Sequence, residues 1–108
     1  MNTEQNKLSL AVLRCSLTEV KSCLENGAVP TFKLFHSSLN EQSRENSLMI
    51  ALLMSEYSVE IPVKSYPVIK LVLNLTDSLY PDFNELGKQI LFNLLKSNPA
   101  TRIYYVKK

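Results

Sequence analysis

Residues 8–31, LSLAVLRCSLTEVKSCLENGAVPT, most narrow what this chain can become. Leu8, Ala11 and Val12 fall on one face of a helix over about 6–15. Leu17, Val20 and Leu24, three and four apart, give a second stripe over about 17–25. Thr18 is placed to cap that second helix and Gly27 to stop it, because glycine accepts the positive φ that turns a chain out of a helix. A pair of helices this short cannot bury its apolar face alone, so neighbours must stack on it.

The rest of the chain supplies such neighbours, and we read six helices in three pairs. Pro30 and Thr31 open a third helix over about 31–39, with Phe32, Phe35 and Leu39 inward. The polar run 40–45 is a loop. A fourth helix over about 44–56 carries Leu48, Ile50, Leu52 and Leu53, an apolar surface broad enough to predict burial on more than one side. Residues 58–65 read as a loop or short extended piece, with Pro62 biasing Ile61 away from helix. Pro67 suits the first turn of a fifth helix over about 67–78, although partial alternation there keeps a strand open. A sixth helix over about 82–97 points Phe83, Leu86, Ile90, Leu91, Leu94 and Leu95 inward and ends at Asn98-Pro99. The tail TRIYYVKK reads as a short strand or frayed end. No linker separates domains, so residues 1–108 are expected to form one helical domain with 100–108 as a basic tail.

Composition agrees with this class. Two glycines are too few for the tight turns of an all-β fold, and eighteen leucines favour helix. The net charge of +2 does not by itself imply nucleic acid. Lys96, Arg102, Lys107 and Lys108 make the C-terminal end basic, which keeps nucleic-acid binding as an alternative. Cys15 and Cys23 fit a reduced, cytoplasmic setting, and the polar N-terminus lacks the apolar core of a signal peptide. The longest apolar run, 48–54, is too short to span a bilayer, so no membrane is expected.

Residues 8–31 also resemble one ankyrin repeat. Leu8, Leu10, Ala11, Leu17, Val20, Lys21, Leu24, Glu25, Gly27, Ala28 and Pro30 fall without a gap on that family's first helix, second helix and Leu-Glu-x-Gly-Ala-x-Pro ending. Cys15 stands where the family usually has glycine between the helices, and QNKL at 5–8 replaces the Thr-Pro-Leu-His opening. Later copies are echoes: second-helix ends near Gly27, Tyr57 and Ser97 are about 30 and 40 residues apart, against roughly 33 in the family. The resemblance implies stacked antiparallel helix pairs, ankyrin-like or an irregular helical bundle, whose first helices and connecting fingers face a partner. It puts Leu13 and Arg14 at variable sites ending the first helix, and Val29 and Thr31 where the finger begins. Leu13 can equally be read as a contact to the next helix pair.

No catalytic, cofactor or metal constellation emerges. His36 is the only histidine; a Cys–His pair with Cys15 or Cys23 can be drawn, but no nearby acid would orient it. Zinc wants three or four ligands, and no Gly-rich phosphate loop is present. Phe32, Phe35, Phe83 and Phe92 are expected in the core, and Tyr57, Tyr66, Tyr80, Tyr104 and Tyr105 at helix ends or in the tail as half-buried caps or interface anchors. A DNA-reading helix-turn-helix over 19–38 is the rival, but Lys33 and His36 stand where it needs apolar residues, Phe32 and Phe35 put the apolar face one step away, and the recognition face would be nearly uncharged. The expectation is therefore a non-catalytic protein–protein interaction module, adaptor or inhibitor, with another protein or a second copy as partner; the broad apolar helix over 48–54 hints at the second.

Overall fold

In the computed structural model, which describes residues 3–76 and 81–102, the chain is all-helical. Its helices are α1 (Thr3–Leu13), α2 (Leu17–Glu25), α3 (Phe32–Ser38), α4 (Arg44–Ser55), α5 (Pro67–Thr76) and α6 (Pro81–Ser97). Short 3-10 turns at Glu41–Ser43, Val63–Ser65 and Pro99–Thr101 punctuate them. The strand alternative for the fifth element falls away: Val68, Ile69, Val72, Leu75 and Thr76 bury one helical face. Residues 77 and 78, given to the fifth helix above, lie outside the described residues.

The turn between α1 and α2 is as tight as two helices allow. The Cys15 N–H reaches the Val12 carbonyl at 3.0 Å and the Ser16 N–H reaches Ala11 at 3.0 Å, the paired bonds of a Schellman ending. That ending needs a left-handed residue, and Cys15 supplies it with φ 55°. Ser16 also begins α2, its hydroxyl accepting from the Glu19 N–H. The cap is thus Ser16 and not Thr18, because Thr18 already lies inside the helix. α2 closes in the same way: Gly27 holds φ 102°, its N–H bonds Leu24 at 3.2 Å, and the Ala28 N–H bonds Cys23 at 3.0 Å.

Packing follows chain order. α1 lies on α2, α3 on α4 and α5 on α6; α1 also packs on α3, and α2, α4 and α6 pack in succession. The smallest dimension, 19 Å, suits two layers of helices about 8–10 Å apart. α4 meets α2, α3 and α6, and Leu48, Ile50, Ala51 and Met54 are all at most 1% exposed. Much of its broad apolar surface is used within the chain, while Met49, Leu52 and Leu53 stay half-buried. α5 and α6 cross closely at Gly87, where a Cβ would overlap the buried side chain of Thr76.

Two side-chain amides tie the connections down. Gln5 accepts from the Val29 N–H at 2.9 Å and donates to the Val29 carbonyl at 2.8 Å. Asn98 accepts from the Ile61 N–H at 2.8 Å and donates to the carbonyls of Val59 at 2.8 Å and Leu94 at 3.0 Å. The second clamp fixes the α4–α5 connection on the end of α6, with Val59 and Ile61 buried.

Several expectations are corrected. Phe35 is fully buried and Phe32 and Phe83 half-buried, but Phe92 is 62% exposed, because the buried stripe of α6 runs Gly87, Ile90, Leu91, Leu94 and Phe92 falls off it. Tyr66 is buried outright and Tyr57 is exposed; Tyr80, Tyr104 and Tyr105 lie outside the described residues. Within the expected basic tail over 100–108, Ala100 and Thr101 belong to the 3-10 turn Pro99–Thr101 and Thr101 is buried; residues 103–108 lie outside the described residues. Residues 58–65 include the 3-10 turn Val63–Ser65 rather than only loop or extended chain.

Candidate functional site

One contact that a regular stack of pairs would make is slight at most. α1 packs on α3, but α3 and α5 make no comparable contact. α3 has only seven residues, about 10 Å of helix, and the long connection after α4 sets α5 away from it. The result is an open cleft of about 560 Å³.

The α3 wall is fixed by local chemistry. Thr31 caps the helix, its Oγ1 accepting from the Leu34 N–H at 3.3 Å. Phe35 and Ser38 then turn into the core, Ser38 donating to the Phe35 carbonyl at 2.7 Å. Phe32, Lys33, His36 and Ser37 are left facing the cleft. The Phe32 and His36 rings stack loosely, 6.0 Å between centroids and tilted by 47°. The opposite wall comes from Lys64 and Ser65 of the 3-10 turn and from Pro67, Val68 and Leu71 of α5. Buried Tyr66 anchors this wall, and its carbonyl accepts from the Ile69 N–H at 2.9 Å.

The cleft is one-sided in charge. Among the described residues Lys33 and Lys64 line it and no carboxylate does. Among the described residues the ion pairs lie elsewhere: Lys7 with Glu4, Arg14 with Glu19 and Arg44 with Glu41. A second opening, about 510 Å³ between α4 and α6, has the opposite sign, with Glu45, Asp82 and Glu85 around Met49 and Leu86.

The four positions singled out from sequence separate into two patches. Leu13 is 82% exposed at the C-terminal end of α1, so it makes no buried contact to the next pair. Beside it Arg14 reaches Glu19 at 3.7 Å. Val29 is 58% exposed and hangs on Gln5, near the opposite end of α1. Gln5 and Leu13 are eight positions apart, about 12 Å of helix. Thr31 directly precedes Phe32 in the chain, but none of the four positions lines the cleft. Sequence reasoning missed the cleft itself. The polar stripe Lys33, His36, Ser37 was visible, but its partner Lys64 is remote in the chain.

Other chemistry stays dispersed. His36 lines the α3–α5 cleft, whereas Cys23 borders an opening between α1 and α2, and burial pushes the Cys23 thiol up, with Glu4 adding to the effect. Among the described residues no three His, Cys, Asp or Glu side chains are placed to share a metal ion. None of the described helices is long and apolar enough to cross a membrane. The connection between α2 and α3, residues 26–31, exceeds the three or four residues usual in a helix-turn-helix.

Comparison with known proteins adds no relative: no family model, no curated protein and no solved structure matches the chain.

Proposed function

We propose that this chain is a non-catalytic protein–protein interaction module, ankyrin-like in design. The observation that carries this reading is the packing order. Pairs α1–α2, α3–α4 and α5–α6 stack through successive second helices, as an array of helix pairs does. Two local features support it. Gly27 takes the left-handed conformation that the repeat ending asks for, and Cys15 takes it where the family places glycine. A stack of this kind holds exposed side chains on rigid supports, so a partner binds with little ordering cost. Leu13, Arg14, Val29 and Thr31 are the partner-facing positions in this reading, and adaptor and inhibitor use the surface in the same way.

The test is affinity capture from nuclease-treated lysate, followed by titration of the purified partner against the full chain. Wild type is compared with Leu13→Glu/Arg14→Glu and with Val29→Glu, each checked by circular dichroism for retained fold. A saturable complex lost in either variant is the expected result. Capture seen only in a parallel lysate without nuclease, or no protein complex at all, would replace this reading with nucleic-acid binding or self-association.

A further inference from the structure

We infer that the α3–α5 cleft is the docking site for an acidic segment of a partner protein that carries an apolar side chain; this rests on the interaction reading above. The cleft has both parts such a segment needs. Its floor is apolar, from Phe32, Val68 and Leu71. Its rim holds Lys33 and Lys64 with no carboxylate lining it and no ion pair to either lysine among the described residues. The volume, about 560 Å³, lies within the range of built ligand sites and has room for a few side chains.

Charge selects among occupants. The chain's own C-terminal end, with Arg102, Lys107 and Lys108, has the wrong sign to fill the cleft. A nucleic acid requires a row of cations along its phosphates, and its affinity grows with each one neutralised. Two lysines astride an apolar floor do not make such a row. An acidic peptide needs only one or two charge contacts to set its register, while its anchor side chain displaces water from the floor.

The experiment selects a displayed random-peptide library on the immobilised full chain. Enriched peptides are then titrated against wild type, Lys33→Glu/Lys64→Glu and Lys21→Glu/Lys88→Glu, and the bound site is mapped by amide chemical shifts. The expected result is enrichment of Asp and Glu beside an aromatic residue or leucine, with shifts over α3 and α5. Affinity should fall about tenfold or more in the double lysine reversal. It should stay unchanged in Lys21→Glu/Lys88→Glu, a charge-matched reversal of two exposed lysines outside the cleft. Peptides that bind but ignore the lysine reversal, or that map to Leu13 and Arg14, would overturn the cleft assignment and leave the interaction reading standing. Failure to enrich any peptide would overturn it too, as would displacement of the peptides by a single-stranded oligonucleotide or by dimerisation of the chain in place of peptide binding.

Discussion

Cys15 shows how one residue sets a turn. Its φ of 55° is the left-handed conformation, which costs an L-residue roughly 1–2 kcal/mol relative to the right-handed one. The cost is met because the same conformation lets Ser16 finish α1 and begin α2. A β-branched side chain fits that conformation worst and glycine best. Cys15→Val is therefore expected to lower the urea unfolding free energy by about 1–2 kcal/mol, while Cys15→Gly keeps it close to wild type. Equal losses in the two variants would show that the lost thiol contacts, and not the backbone, dominate. In the sequence Cys15 reads only as a departure from the glycine of the repeat pattern. That cysteine fills the same conformation was not legible, since residue identity alone does not reveal φ.

At the scale of helices, the close approach of α5 and α6 depends on what Gly87 lacks. In an ordinary helix interior Gly→Ala stabilises by about 1 kcal/mol. Here the added Cβ would overlap Thr76, which is buried and donates to the Leu73 carbonyl at 3.0 Å, so it has little room to yield. Gly87→Ala is expected to lower stability by about 1–3 kcal/mol. A thermal melt above wild type would show that α5 and α6 can separate freely. Helix positions were largely readable: α2 matches its expected span, and α4 and α6 begin or end within a residue of theirs. Phe92 departs from the expected core because helical spacing from the other aromatics does not fix which face of α6 is buried, and its register puts it off the buried stripe. The Gln5 and Asn98 clamps had no sequence signal, since an amide that binds backbone 24 or 37 residues away leaves no local pattern.

For the whole molecule, α4 is the element through which the pairs communicate. It touches α2, α3 and α6, and Leu48 at its centre is fully buried. Leu48→Ala is expected to cost about 2–5 kcal/mol. It should shift unfolding as one transition, with probes in α1–α2 and in α5–α6 giving the same urea midpoint. Separate midpoints would mean that each pair responds only to its neighbour, as in long repeat arrays. The candidate site belongs to this scale as well. The stripe Lys33, His36, Ser37 lies on a single helix, but Lys64 joins it only because α5 stands clear of α3.

The sequence by itself determined the helices, the left-handed stop at Gly27 and the interior of α4. Each of these is settled by residues within one or two turns of one another, through apolar spacing, capping and glycine's freedom at positive φ. Tertiary structure alone decided that α3 and α5 part, that Leu13 and Val29 stand at opposite ends of α1, and that Lys33 and Lys64 share one cleft. Those outcomes depend on how already formed helices compete for buried area, a balance among distant side chains that no local pattern encodes.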